Sequence, residues 1–229
     1  TLAKCFILTA IPVMLVAKQP DLGTATILAL SSAVIIFTAG IPWKNIRNTV
    51  LLLIISLPLQ WKFLHSYQKN RVLTFLFPER DPMGSGYHIL QSKIAVGSGA
   101  IYGKGWLAGS QSHLKFLPEH TTDFIFAVCG EEFGLVGSLI LLCIAFLLGL
   151  RIFYIAIYAQ TTYFRLVCTS IGAMFLFSVI INIGMVLGLL PVVGIPLPLI
   201  SYGGSTMVTF MIGFGIVLSI ASHKKLLGS

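Results

Sequence analysis

The sequence predicts an all-α polytopic membrane protein, and three observations carry that expectation. Only 10% of the 229 residues are charged while 56% are hydrophobic, where a soluble globular domain is typically ~25% charged. Apolar runs approaching the ~20 residues a helix needs to cross hydrocarbon recur along the chain. The acidic and basic residues are sorted between alternate loops. So few charges cannot cover a soluble surface, and lipid is therefore the main solvent. The net charge of +8 points to nucleic acid only if the basic residues cluster. Here they are scattered between apolar runs, the pattern of membrane topology.

Six candidate membrane segments follow in order. Cys5–Ala17 is apolar but short, and Leu22–Ile41 is a full span. Val50–Leu64 carries Pro58 and is closed by Lys62. Gly134–Leu150 extends beyond Arg151 if Ile152–Ala159 continues the helix. Leu166–Leu190 is long and apolar, and Ser205–Ala221 closes the set. The chain opens Thr1-Leu2-Ala3-Lys4, without an initiator Met or a signal-peptide pattern, and reads as the later part of a longer chain. Residues 1–229 read as a single membrane domain with two stretches that are not spans: the polar insert 65–133 and the Pro/Gly-rich run 191–204. Cys5, Cys129, Cys143 and Cys168 have no paired or metal-ligand spacing and read as free, buried thiols.

The loops give an orientation. With the His223–Lys225 tail inside, the cytoplasmic side holds Lys4, Lys44, Arg47, Arg151, Arg165, Lys224 and Lys225 and no acid, as the positive-inside rule requires. The other side holds every acid of the chain: Asp21, Glu79, Asp81, Glu119, Asp123, Glu131 and Glu132. Its insert is rich in aromatics and glycine and poor in the residues that mark disorder. An insert of that length in a compact protein is usually functional. Within it, Ile89, Leu90, Lys93, Ile94 and Val96 suit a helix lying in the interface, with Lys93 reaching toward headgroups.

Four stretches can carry chemistry. Leu117–Ala127 packs Glu119, His120 and Asp123 against an apolar run that feeds a span. Desolvation at such a boundary raises a carboxylate's pKa, which suits a general acid or base. The alternative is that Asp123, or Thr122, only caps the helix. Asp21 reads as an N-cap before close-packing Gly23 and Thr24, or as a partner for a basic residue of the insert. Gly97–Trp106 is glycine-rich without dinucleotide spacing. It either offers backbone amides and Lys104 to a pyrophosphate or is a plain turn-rich loop. Pro191–Ser205 cannot be a continuous helix, and irregular backbone survives at membrane depth only where it is buried in protein or lines a wet cavity. It reads as a re-entrant loop bordering an outer cavity, after Gly184 and Gly188. His65, His88 and His113 read as solvated loop residues without metal-ligand spacing.

Taken together, the chain resembles the SEDS family of cell-wall polymerases. The resemblance rests on Gln19–Thr24, Gly86–Ala95, Gly103-Lys104-Gly105-Trp106, Phe116–Glu119, Thr122–Ala127, Gly130–Gly134 and Leu190–Ser205, all in the family's order. Pro191–Pro198 resembles the RodA branch rather than the FtsW branch. The resemblance implies about ten spans of roughly 20 residues each, the first four or so lying outside this chain. Thr121 and Ala100 depart from the histidine and glycine usual in the family, and His120 is placed to take over the histidine's role.

The activity this resemblance implies is polymerisation of lipid II into glycan strands on the outer face of the inner membrane, during elongation and rod-shape maintenance, beside a class B penicillin-binding protein. Asp123 is then the catalytic base, and Gln91, Lys93, Lys104, Glu119, His120 and Ser201 bind substrate. An α-linked donor giving a β-1,4 product requires inversion, with a base on the incoming hydroxyl and charge stabilisation at the departing pyrophosphate. Lysines or a divalent cation (Mg2+ or Mn2+) would balance that charge, although no metal-ligand pattern is visible. A lipid II flippase is the alternative, and would need polar groups along a path through the spans. A non-catalytic scaffold of the elongation complex is a third reading. The acid-free side predicts that a cysteine at Ser85 or Ser110 reacts with an impermeant thiol reagent in intact spheroplasts while one at Asn45 does not. The reverse labelling would invert the topology.

Overall fold

The computed structural model describes residues 2–19, 21–40, 44–45, 47–48, 51, 55, 62, 66–81, 84–109 and 121–226, and among these it contains helices and no strand. The helices are α1 (Leu2–Lys18), α2 (Leu22–Thr38), α3 (Ser66–Leu76), α4 (Ser85–Ser98), α5 (Ile125–Ile157), α6 (Thr162–Val186) and α7 (Gly204–Leu226), with a 3-10 turn at Pro78–Arg80. The last three are long and apolar enough to cross a membrane, whereas α1 and α2 are shorter apolar helices. The expected span Val50–Leu64 lies almost wholly outside the described residues.

Local chemistry sets several helix ends. The Asp21 carboxylate accepts from Thr24 N at 3.0 Å at the start of α2, so the N-cap reading of this residue is the one observed. Thr161 caps α6 in the same way, accepting from Phe164 N at 3.2 Å. At the far end of α6, Gly188 N donates to Met185 O at 3.0 Å and Leu189 N to Gly184 O at 2.7 Å, the paired bonds of a Schellman stop.

Helix α6 is the centre of the bundle. Of its most apolar window 56% is buried, against 17% for α5 and α7. It packs chiefly on α5 and α2, with α7 alongside. Phe175 of α6 meets Phe210 and Phe214 of α7 edge-on, at centroid separations of 5.8 and 5.6 Å. Val179, Ile183, Met185 and Val186 continue the core toward Phe124, Phe126 and Ala127 at the start of α5.

Helix α4 turns one face to the protein and leaves Leu90, Lys93 and Ile94 exposed. Ile89, Ser92 and Ala95 form its buried stripe, and Ser92 Oγ donates to Ile89 O at 3.0 Å and to Val186 O of α6 at 2.8 Å. Lys93 lies against Gly188 at the end of α6. His88, expected to be solvated, has its ring 5.9 Å from that of Phe124 and a buried Nδ1. The four cysteines are free as expected, but only Cys168 is buried.

The apolar run beginning at Gly134 does not start a helix; it resumes one. Gly134 has φ +65° and ψ −159°, so α5 consists of two helices meeting at a break. A break strands carbonyls on one side and N–H groups on the other, and the glycine-rich loop after α4 satisfies both sets. Lys104 N and Gly105 N donate to Glu131 O and Glu132 O, each at 3.0 Å, while Leu135 N and Val136 N donate to Ala100 O and Ile101 O at 3.0 and 3.1 Å. The fit leaves no room for side chains: a Cβ on Gly103, which has φ +80°, would collide with the Glu132 carbonyl. Gly103→Ala is therefore expected to lower stability by about 1–3 kcal/mol through strain. Gly97→Ala, on α4 with nothing within 4 Å, should be neutral or slightly stabilising. Thermal unfolding in detergent compares the two.

Candidate active site

Asp123 sits in the turn 121–124 that leads into α5. The N-cap position of α5 is Phe124, which makes no side-chain capping bond, so Asp123 stands one residue ahead of the cap. Three consecutive carbonyls of this turn each accept from a different donor. Tyr202 N donates to Thr121 O at 2.9 Å. Ser201 Oγ donates to Thr122 O at 2.6 Å, and Asn182 Nδ2 donates to Asp123 O at 2.8 Å. Two of these donors lie in the irregular segment 187–203 and the third on α6.

The irregular segment is held by the same residues. Asn182 Nδ2 also donates to Ile195 O at 2.7 Å, and Leu197 N donates to Ser201 Oγ at 2.7 Å. On the opposite side α2 packs against it, where a Cβ on Gly23 would stand 2.7 Å from Val193 O. Gly194 is exposed, with φ +73°, and a Cβ there would lie 3.4 Å from Asp123 Oδ2. The Asp123 carboxylate thus stands beside the bare backbone of Gly194. Six residues earlier, Gly188 has Lys93 against it, the Nζ only 2.6 Å from where a Cβ would be. This is the C-terminal end of α6, whose dipole favours a cation.

Lys104 is placed elsewhere. Its Nζ pairs with Glu131 Oε1 at 2.7 Å, and the Glu131 side chain is fully buried. The loop amides of residues 104 and 105 are spent on α5 carbonyls, so of the loop's two readings the structure places these two amides in a structural clip. Among the described residues no group of three His, Cys, Asp or Glu side chains is arranged to hold a metal.

Comparison with known proteins identifies the family. A model of the FtsW, RodA and SpoVE group, described as "Cell cycle protein", matches residues 1–226. This chain belongs to that family. It is 54% identical over 222 residues to "Peptidoglycan glycosyltransferase MrdB" of Escherichia coli K12, covering 96% of this chain and 60% of that protein. A solved structure described as "Structural coordination of polymerization and crosslinking by a peptidoglycan synthase complex" aligns with a TM-score of 0.79 at 34% identity, over 95% of this chain and 60% of that one. The crystal structure of Thermus thermophilus rod shape determining protein RodA aligns at 0.63 and 29% identity, over 99% and 57%. The chain thus spans about 60% of the length of such relatives.

Of the residues expected at the site of a FtsW/RodA/SpoVE family member, the structure gathers three on the irregular segment: Asp123, Lys93 and Ser201. Gln91 is half-buried on α4, beside the buried Ser92. Lys104 is bound into the α5 break, and Glu119 and His120 lie outside the described residues. The Ser201 hydroxyl proton is used on Thr122 O, so Ser201 shapes the backbone around Asp123. Asn182 was missed. A fully buried amide within an apolar span is itself a signal, because polar groups there are expensive and usually functional.

The Lys104–Glu131 pair generates a test. Lys104→Ala strands a buried carboxylate, which should lower stability by roughly 2–3 kcal/mol, less than for a fully buried pair because Lys104 is partly exposed. Adding Glu131→Gln should restore much of that loss in the same unfolding measurement.

Proposed function

We propose that this chain is part of an inverting peptidoglycan glycosyltransferase that polymerises lipid II on the outer face of the cytoplasmic membrane during cell elongation. The observation that carries the reading is the Thr121–Asp123 turn. Every carbonyl is pinned there, and its carboxylate stands over Gly194. Membership in the family and the likeness to a relative named a peptidoglycan glycosyltransferase support it.

In this reading Asp123 accepts the proton of the acceptor sugar's 4-hydroxyl as that oxygen attacks the donor's anomeric carbon. The new O4–C1 bond forms while the bond from C1 to the lipid pyrophosphate breaks, so the centre inverts. The leaving group is already a good anion and needs no protonation, but its developing charge needs stabilising. Lys93, held against the same irregular segment, supplies one positive charge. Lys104 could contribute only from its position at the α5 break. A Mg2+ or Mn2+ ion is also proposed. Such a cation would need few protein ligands, since Mg2+ commonly binds through one or two carboxylates plus substrate phosphates and keeps several waters. When bound it would neutralise pyrophosphate charge. Gln91, Glu119, His120 and Ser201 are proposed to line the substrate's path, Ser201 through the backbone it shapes. The described apolar helices support a multi-pass location in the inner membrane. A class B penicillin-binding protein is the proposed partner, by likeness to a complex that couples polymerization and crosslinking.

Asp123→Asn tests the base directly. It keeps the size and the turn-forming ability of the side chain and removes the basic carboxylate. In the full-length protein with its partner, given lipid II in detergent, strand synthesis should fall by ~10²–10⁴-fold. Glu119→Gln should cost less if that residue only tunes its neighbour. Robust strand synthesis by Asp123→Asn would end the assignment.

A further inference from the structure

The buried amide of Asn182 carries a role that neither the motifs nor the comparisons assign. Its side chain is fully buried at the centre of the bundle. Nδ2 spends both of its protons on backbone carbonyls, those of Asp123 at 2.8 Å and Ile195 at 2.7 Å. Both partners are acceptors, so the amide can be oriented only with its NH2 toward them. Oδ1 is then turned away, buried and without a hydrogen-bond partner. An unsatisfied buried acceptor is unfavourable, all the more within an apolar span, where there is no water to compensate. A leucine would fill the same space without leaving an orphaned oxygen. What the leucine lacks is the pair of donors, and those donors join the turn bearing Asp123 to the loop bearing Gly194.

We propose that Asn182 is a positioning residue for the transfer reaction. It fixes the Asp123 Cα relative to Ile195, and through that strand of the loop relative to Gly194, over which the carboxylate lies. The other two pins cannot substitute for it. Tyr202 and Ser201 hold Thr121 and Thr122, so without Asn182 the chain between Thr122 and Phe124 could rotate about its last fixed carbonyl. That rotation swings the carboxylate and leaves the helix entry in place. This inference rests on the proposed role of Asp123 as base.

The test is a double-variant cycle on the full-length protein with its partner and lipid II. Asn182→Leu should insert, bind its partner and keep KM for lipid II, while kcat falls by ~10–10²-fold, the scale expected for misplacing a reacting group by about 1 Å. In an Asp123→Asn background the same substitution should add less than about 3-fold, because there is no longer a base to misplace. A purely structural role predicts that the two losses multiply, and that outcome would overturn the proposal. Asn182→Gln, which retains an NH2 group on a longer stem, should keep more activity than Asn182→Leu at equal expression. It also serves as the second variant if Asn182→Leu does not accumulate, and its cycle with Asp123→Asn is read in the same way. Near-wild-type activity in Asp123→Asn alone would remove the base, and the positioning role with it. Multiplying losses beside a severe Asp123→Asn defect would remove only Asn182.

Discussion

Lipid offers no hydrogen bonds, so a chain that interrupts its helices within a membrane bundle must supply partners from its own residues. Among the described residues, irregular backbone near the candidate site occurs at the turn 121–124, at Gly134, and along residues 187–203. Each is answered from elsewhere in the chain or by its own end bonds. The carbonyls of the turn take donors from the irregular segment and from Asn182. The break at Gly134 exchanges backbone bonds in both directions with the loop at residues 100–105. The end of α6 closes on its own Schellman bonds, with Lys93 laid across Gly188. A single such bond contributes only about 1 kcal/mol net, whereas leaving its groups unpaired in an apolar setting costs considerably more. The irregular segments are therefore mutually obligatory.

This dependence accounts for the Lys104–Glu131 pair. Placing a carboxylate where it is fully buried is unfavourable by several kcal/mol even with a partner, and hydrophobic residues of similar volume would serve stability as well. The pair sits where the loop enters the α5 break, and the backbone of the same two residues is bonded directly, Lys104 N to Glu131 O at 3.0 Å. Side-chain and backbone bonds between the same residues fix the register of a loop that offers little else to pack, since Tyr102, Trp106 and Leu107 are all exposed. Specificity of pairing is what the charge contributes here.

Much of this was legible in the chain. The spans α5, α6 and α7 announce themselves by apolar length, Asp21 by its place before an apolar run, and residues 191–204 by prolines that exclude a helix. The break at Gly134 was not legible, because the apolar run on one side and the Gly130–Phe133 segment on the other are each good helix and only a φ of +65° separates them. The glycine-rich loop advertised close backbone approach without naming its partner: glycines spaced to admit a phosphate and glycines spaced to admit a helix break look alike in sequence. The protein-facing stripe of α4 is hard to read in sequence for a related reason. Its buried face is built from Ile89, Ser92 and Ala95, and two of those three residues carry little hydrophobic signal. Asn182 is readable as a polar residue in a span, a weaker signal than the charged motifs.

The arrangement explains why a base would be placed on a turn and not on a helix. Donors aimed at the backbone carbonyls hold the Asp123 backbone through atoms other than its carboxylate. Helical geometry would instead have tied the orientation of the carboxylate to that of α5, whose outer portion must also meet the loop at Gly134. By breaking α5 there and starting it only at Ile125, the fold lets the proposed base Asp123 be set by α6 and the irregular segment while the long helix keeps its own packing. Preorganisation of this kind is most effective where water is scarce and reorganisation would be slow. It also makes the site sensitive to residues that never meet substrate: Gly23 lets α2 press on the loop at Val193, one residue before Gly194. A side chain there would move the backbone beside the Asp123 carboxylate while leaving the proposed site residues unchanged.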